Sequence, residues 1–516
     1  MPILKPSTTL NIIGARALQQ VTEQRVLLVG QKTSDGSVAS GALSQNVPDS
    51  DASIEALFGV KSHLTRMVKD FKAINKVTAL DCIPLDDGGS AVSAAATITV
   101  ATGTATADAT IYVYVMDKTK FRAPVSILTG DDQDDIAGKI DTAMSALEAK
   151  FPFVTTSSAA VVTFTSSNGG TVYNGAPIGI EGSVPGISSF TLTAFASGAT
   201  DPTLTDIFDV IGNIRYQTIG WPAAYATTEL KTLLDARFNS SYRVLDGVGV
   251  TGEVDTYANL LGGPSENSQS ILYIADKLVD KTDRKGAAIP NLIDQKIAAF
   301  CASRALRLSS GASVTSILTT VAPDDQFGGI ALSTLPYQNT QILGLTVPLP
   351  QDEFSLDEER ELASDGYTIM GANSAYNAVI LGEAVTTYQT NAAGDPDTSF
   401  FYLNRVDTSS VIREYYSVNL KARYAQTRLT GGDLVPKRAM ANEDSIRSFC
   451  KRLYSQLAKL AVTESGSAAL TDYETNLSVV VDVGSGSITI NQSPLQIGQI
   501  RLIIGTVAVN YSGLAA

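Results

Sequence analysis

The chain has 516 residues, 44% of them apolar and 17% charged, with a formal net charge of −14. That length exceeds what one hydrophobic core organises, and the composition suits a folded chain, so two to four domains are expected and disorder is not. The acidic balance, without any polybasic block, argues against direct binding of DNA or RNA, which needs clustered Lys and Arg to neutralise phosphates.

Residues 1–24, beginning MPILKPSTTLNIIGARAL, lack the continuous apolar stretch of a secretory leader and read as an irregular arm, with Leu10, Ile12 and Ile13 as its apolar cluster. RVLLVG (25–30) is the first core strand. Leu64, Met67, Val68 and Phe71 recur at helical spacing and predict a helix over about 61–75, with Ile74 closing the stripe and a strand following at Val77–Ile83. His63, the only histidine, falls in register with Arg66 and Asp70, off that stripe, so a solvated helix face is expected for it. No Ser or Cys motif lies near enough in sequence to build a triad on it. In VLLVGQKTSDGSVASG, Gly30, Gly36 and Gly41 match neither GxGxxG nor GxxxxGK[ST], and turning the chain is role enough for them.

From about 93 to 200 the composition becomes rich in Ala, Thr, Gly and Ser, with alternating strands such as Ile111–Val115 and Val161–Thr165 between Gly and Asn turns. One helix interrupts them, with Ile136, Ile140, Ala143, Met144 and Leu147 on its apolar face. The stretch reads as an inserted, mostly β domain with little demand for large core side chains. Asp131, Asp132, Asp134 and Asp135 lead into that helix. A calcium loop of the helix–loop–helix kind needs Gly at its sixth place and Glu at its twelfth, where this chain has Ile136 and Thr142, so these acids are assigned to the positive end of the helix. Asp86-Asp87 and Asp324-Asp325 sit in Gly/Pro-rich turns and read as loop residues.

Between 203 and 310, a helix (Leu204–Ile211), a strand (Tyr216–Gly220), a helix (Leu230–Phe238), strands (Tyr242–Val250 and Ser270–Ala275) and a helix (Asn291–Leu308) imply βαβ-type units. Ser355 with Glu358 forms a capping box. A helix opening at Asn442, with Glu443 and Asp444 in its first turn, carries Ile446, Phe449, Cys450, Leu453, Leu457 and Leu460 on one side. Arg447, Lys451, Arg452 and Lys459 lie on the other, with no acid from 445 to 463, which makes either a solvated face or a contact for an acidic partner. Residues 478–491 read as a hairpin around Gly484-Ser485-Gly486. At the C-terminus, apolar residues occupy 500, 502 and 504 and then 507, 509 and 511, so the alternation changes phase at Gly505. A strand has period two, so Gly505 is a bulge or hinge beyond which a tail strand can pair elsewhere. Ile500–Val509 is too short to span a bilayer. Cys82, Cys301 and Cys450 are far apart, without CxxC spacing, so neither a disulfide scaffold nor a zinc site is expected and a reducing compartment fits.

Residues 383–424, EAVTTYQTNAAGDPDTSFFYLNRVDTSSVIREYYSVNLKARY, hold no nucleophile–base pair and no metal cluster. A polar turn (Asn391, Gly394, Asp395, Pro396, Asp397) is followed by an aromatic-rich segment ending in Arg423 and Tyr424. This string resembles the signature segment of contractile-tail sheath proteins of the Mu-like phage type, where TTYQTN…DTS…N…R precedes a helix of the structural core. AVVTFTSSNGGTVYNG and DEFSLDEERELASDGYTIM resemble, in turn, the protruding domain and the core of those proteins.

The resemblance implies a multi-domain α/β (α+β mixed) fold: an N-terminal arm (1–24), a first core part (25–92), the inserted protruding domain (93–200), a second α/β core part (201–350), a C-terminal core (351–504) and a C-terminal arm (505–516). It implies a structural subunit rather than an enzyme, without metal or cofactor, built into six-membered rings stacked helically round a tail tube. Contraction would drive that tube through a host envelope. Baseplate and tail terminator proteins would be further partners, in a virion tail assembled in the host cytoplasm. On the same basis Leu10, Ile12, Val507, Val509 and Tyr511 would be exchanged arm positions, Gly505 the arm hinge, and Arg447, Lys451, Arg452 and Lys459 a tube-facing basic helix. A secreted carbohydrate-binding adhesin is the alternative reading of the Thr/Gly-rich insertion. A hydrolase would need converging carboxylates that the sequence does not reveal.

Overall fold

In the computed structural model, the uninterrupted apolar run Val26–Val29 forms a strand buried on both faces, the setting that such a run suits. The structure describes residues 24–116, 121–147, 152–238, 244–278, 291–308, 337–373, 377–435 and 439–498, with the backbone of a short pair, Val314–Thr315 and Thr320–Val321. Two compact units divide them, one running to Val418 and the other from Asn419 onward.

The first unit begins β1 (Arg25–Gln31), α1 (Asp51–Phe58), α2 (His63–Ile74) and β2 (Ala79–Leu85). An all-antiparallel region follows: β3 (Ser93–Val100), β4 (Ala109–Val115), β5 (Arg122–Ile127), α3 (Gln133–Ser145), β6 (Phe153–Ser158), β7 (Val161–Gly169), β8 (Ile178–Glu181) and β9 (Phe190–Ala196). The chain then returns through β10 (Thr218–Gly220), α4 (Thr228–Arg237), β11 (Val248–Asp255), α5 (Tyr257–Leu260), β12 (Ile271–Lys277) and α6 (Ile293–Leu308). It continues with β13 (Gln341–Ile342), α7 (Leu356–Ser364), β14 (Tyr367–Asn373), β15 (Ala378–Leu381) and α8 (Leu403–Tyr424), whose last residues count with the second unit.

The main sheet has the order β13-β15-β14-β12-β11-β10-β1-β2, parallel from β14 to β2 and antiparallel at β15 and β13. Alternation along β1 sends Val26 and Leu28 to the face covered by α2 and α6, where Leu64, Met67, Phe71, Ile297 and Phe300 lie. Leu27 and Val29 go to the opposite face, against Ile83, Ile219, Trp221 and Leu230. The mixed α/β architecture expected from the sequence is therefore present.

Strands β3 to β9 form two sheets of their own, β6-β7-β3-β9 and β5-β4-β8, around a separate core. Small residues such as Ala94 and Ala96 contribute to it, but so do buried Phe153, Phe164 and Phe195, so the demand for large side chains exceeds the expectation. Asp132 caps α3 in a reciprocal box with Asp135, and Asp131 pairs with Lys139, the structural use expected of those acids.

Some expected elements differ. The helix at Leu204–Ile211 is only a short 3-10 turn, Asp209–Ile211, because Asp206 takes a positive φ of 58° that an α-helix cannot accommodate. The second strand starts at Ala79, not Val77: the Asn75 side chain accepts from the backbone N–H of Val77 and Thr78, holding them in a turn with Val77 84% exposed. The strand expected at Tyr242–Val250 is displaced to Val248–Asp255. Asp324-Asp325 lies outside the described residues.

A polar centre lies where α6, α8 and the sheet meet. Arg304 is buried with Asp407 at 2.5 Å, donates to the Gln217 carbonyl, and leaves Asp407 to accept from the Tyr337 hydroxyl. Asp407→Ala strands a buried guanidinium and is expected to destabilise the first unit by about 3–5 kcal/mol. The check is its urea unfolding transition against that of the parent chain.

Candidate functional site

A doubly wound sheet holds ligands beyond the carboxyl ends of its strands, where the strand order reverses. Here that place lies beside β1, since β2 flanks it on one side and β10 on the other. The inserted region fills it. Asn168, fully buried, accepts from the His63 N–H at the start of α2 (2.8 Å) and donates to the Lys32 carbonyl and to Asp87. Asp87 also accepts from the Gly169 N–H and the Gln31 amide, so it is a tie between the insertion and β1 rather than a plain loop residue. The helix N-terminus that would receive a phosphate is thus satisfied by the chain itself.

His63 is not solvated. It is 3% exposed, its Nε2 is 2.8 Å from Asp294 Oδ2, its ring stands edge-on to Tyr173, and Asp294 accepts in addition from the Ala223 N–H. Asp70 on the same row is buried too. Two layers cover α2, the sheet on one side and the insertion on the other, and helical periodicity registers only the apolar one. The arrangement brings a histidine and a carboxylate into contact beside the buried Tyr173 ring, and these bonds join α2, α6 and the inserted region.

The 383–402 segment is a self-bonded buckle. Thr386 bonds the carbonyl of Phe400 and Thr387 those of Ile271 and Ser268, seating the segment against the start of β12. Asn391 Oδ1 accepts from the Ala393 and Asp395 N–H groups, turning the chain at Gly394, whose φ is +87°. Asp397 accepts from the Ser399 hydroxyl, the Tyr388 hydroxyl and the Ser399 N–H, and these bonds hold its carboxyl below the usual range. Arg405, in the first turn of α8, closes onto the Thr398 carbonyl. The side chains of Thr386, Thr387, Tyr388, Gln389, Thr390, Asn391, Asp397, Ser399 and Arg405 all have defined bonds here, and that of Arg405 ties the start of α8 to the segment.

Carboxylates do converge at one place unseen in the sequence. A Cβ on Gly371 would lie 3.2 Å from Glu359 Oε1 and 3.4 Å from Glu353 Oε1, so the two acids face one small space. Burial raises both carboxyls, and Glu353 raises Glu359 further. Nearby Lys296 pairs with Asp276 at 2.9 Å. The crevice leaves about 10 Å³, room for a water but not for a sugar. A raised carboxyl pKa means the folded state binds the proton more tightly, so the contribution to stability is complete below the ordinary value near 4.5 and is lost as pH rises through the folded value. Glu359→Gln is therefore expected to raise the melting temperature at pH 7 and to gain progressively less as pH falls to about 4.5. Calorimetry across that pH range checks it.

In the second unit, α9 (Glu443–Lys459) starts at Asn442, whose side chain accepts from the Ser445 N–H, and buries Ile446, Phe449, Cys450, Leu453 and Leu457 as expected. At 100° per residue its four cations spread over different azimuths. Arg447 reaches Glu443 and the Leu477 carbonyl, and Lys451 reaches Glu474 of α10 (Ser467–Asn476), acids from outside the 445–463 window. Arg452 stands on the other shoulder, its guanidinium 4.6 Å above the Phe449 ring, and Lys459 is exposed between them. The expected hairpin is β16 (Ser478–Asp482) with β17 (Ser487–Asn491), its turn tied by Asp482 to the N–H groups of Gly484 and Ser485. Leu10, Ile12, Gly505, Val507, Val509 and Tyr511 lie outside the described residues. Cys82, Cys301 and Cys450 are buried and none is in a disulfide. Among the described residues no group of His, Cys, Asp and Glu is arranged to hold a metal ion, and no helix is long and apolar enough to cross a membrane.

No family model matches the chain. It is 22% identical over 494 residues to the Mu-like prophage FluMu tail sheath protein of Haemophilus influenzae, covering 93% of each chain. Among solved structures it is similar to the sheath tail protein of Listeria innocua, with a TM-score of 0.47, 13% identity and coverage of 94% of this chain and 95% of that one. It is also similar to a chain of the anti-feeding prophage baseplate, with a TM-score of 0.46, 10% identity and coverage of 95% and 94%. The resemblance to Mu-like tail sheath proteins is thus met along nearly the whole sequence, and the adhesin alternative finds no support.

Proposed function

We propose that this chain is the sheath subunit of a Mu-like contractile tail, a structural protein that polymerises round a tail tube and shortens to drive that tube through a host envelope. The observation that carries the proposal is the similarity to a tail sheath protein over 93% of both chains. Its partners are copies of itself in six-membered rings stacked helically, the tube, the baseplate and the tail terminator, in a virion tail assembled in the host cytoplasm. The role is non-enzymatic: the crevice that α/β enzymes use is filled by Asn168, and the converging carboxylates have no room for a substrate.

Copies are linked by exchanged strands. Supporting this, β16 and β17 form a two-stranded sheet with no further strand on either edge among the described residues, and Val480 on β16 is 55% exposed. An open edge is a template for another chain. An arm carrying Leu10 and Ile12, or Val507, Val509 and Tyr511, adds main-chain hydrogen bonds of about 0.5–1.5 kcal/mol each, with alternate side chains setting register. Gly505 is the hinge that lets the cores rotate while the strands stay joined. Contraction then needs no nucleotide: two core packings differing by a few kcal/mol per subunit are enough once summed along a polymer.

Negative-stain microscopy of the concentrated protein is expected to find hollow striated tubes, and a stable monomer would sink the proposal. Deleting 506–516 is expected to leave soluble protomers, whereas normal tube-wrapped polymers from that truncation would contradict strand exchange. For the tube-facing helix, Arg447→Glu combined with Lys451→Glu should abolish co-sedimentation with tail tubes. Unchanged tube binding would remove that assignment.

A further inference from the structure

We infer that the chain carries two mutually complementary docking surfaces, an acidic leucine-tipped face on the first unit and an arginine-rimmed aromatic groove on the second. Each receives the other from a neighbouring copy. This rests on the sheath reading, and it adds a contact made by folded surfaces to the exchanged strands.

Charge is segregated along the sequence. Residues 352–365 hold seven Asp or Glu and one Arg, while 419–452 hold eight Lys or Arg and three Asp or Glu, in a chain of net charge −14. On the first unit, α7 buries Leu362 completely and needs no apolar residue at its start, yet Leu356 stands there 71% exposed. Around it are Asp357, with a 96% exposed side chain, and Glu361, which accepts from the Tyr257 hydroxyl. Asp365 takes the Gly262 N–H and so brings Leu261, itself 42% exposed, beside the same helix. The result is an exposed apolar tip with carboxylates beside it and one cation, Arg360, which is 77% exposed one turn on from Leu356 and pairs with Asp357.

The groove in the second unit has the opposite character and measures about 560 Å³, ample for a leucine side chain. Tyr424 and Phe449 meet edge to face at 5.5 Å to form its floor, with Met440 and the exposed Leu434 beside them. Arg423 and Arg452 rim it, and the second has its guanidinium 4.6 Å above the Phe449 ring. An apolar tip with flanking carboxylates fits an aromatic floor with flanking guanidiniums. Exposed ion pairs are individually weak, so the apolar tip supplies the anchor and the charges supply register and speed of encounter. Because the two surfaces differ, the contact is heterologous. Such contacts build rings or open helices instead of closed dimers, which is the symmetry a sheath requires.

Three variants of the full chain test the contact: Asp357→Lys with Glu361→Lys, Arg423→Glu with Arg452→Glu, and all four together. Sedimentation velocity over a concentration series reads the assembly, and thermal melting checks that each variant folds like the parent. Each pair is expected to raise the concentration for half-maximal assembly about tenfold or more, and the fourfold variant to recover most of that loss. If a charge pair perturbs folding, Leu356→Ser removes the tip without adding charge and should weaken assembly in the same direction. Assembly of either pair at the parent's concentration overturns the contact, as does a well-folded fourfold variant that recovers nothing. A groove variant that assembles normally but no longer binds tail tubes gives the groove to the tube and overturns it as well. A parent chain that stays monomeric throughout overturns the sheath reading itself, an outcome distinct from the other three.

Discussion

A sheet with parallel strands covered on both faces has no solvent in which to place a charge, yet this one carries a guanidinium at its centre. Arg304 is 3% exposed and has Asp407 as counter-ion. Removing two charges from water costs several kcal/mol each, and the close Arg304–Asp407 contact with the added bonds to the Gln217 carbonyl and from the Tyr337 hydroxyl offsets it, although the buried Arg304 Nε–H has no partner among the described residues. The geometry here involves three elements at once: α6 supplies Arg304, α8 supplies Asp407, and the carbonyl of Gln217 comes from the approach to β10. Arg307, one turn on from Arg304, stacks on Tyr337 at 4.2 Å, and Tyr337 returns a hydroxyl to Asp407. A displaced α8 would leave Arg304 uncompensated. The pair therefore sets where α8 lies against the sheet, and the buckle at 383–402 sets where α8 begins.

The same economy of alternatives governs the carboxyl end of the sheet. Doubly wound sheets leave a crevice there because successive connections depart to opposite sides. In this chain Asn168, Gly169 and Asp87 close it with hydrogen bonds that join β1, the loop after β2 and the end of β7. His63 and Asp294 complete the closure from α2 and α6. An architecture that elsewhere binds small molecules is thereby converted into a solid mount for the antiparallel region.

Much of this was legible beforehand, and what was not shares one cause. The α2 stripe of Leu64, Met67, Val68 and Phe71, the Asn442 cap and the Ser355–Glu358 box all depend on neighbours within four positions, so pattern alone located them. The signature segment was recognised by likeness, and its bonds are mostly local. His63 was misplaced because its covering residues, Asn168 and Asp294, are 105 and 231 positions away. Asn168 sits in SSNGG and has the composition of an exposed turn, while Arg304 and Asp407 look like ordinary polar positions on amphipathic helices. Glu353 and Glu359 converge only because Gly371 lets strand and helix approach closely. Local periodicity reports which side of an element is apolar. It carries no record of a second layer packed on the polar side.

The pairing of β1 with β10 places Val26 beside Thr218. Sequence separation on that scale gives the main sheet a high contact order, and loop closure of this kind slows folding. During synthesis the first strand must wait for the entire antiparallel region to emerge before its second neighbour exists, and β14 completes the parallel set only at Tyr367–Asn373. The acidic helix immediately ahead of β14 and the basic groove after it are thus among the last surfaces to be made. A partly synthesised chain therefore lacks both surfaces until nearly all of it has emerged.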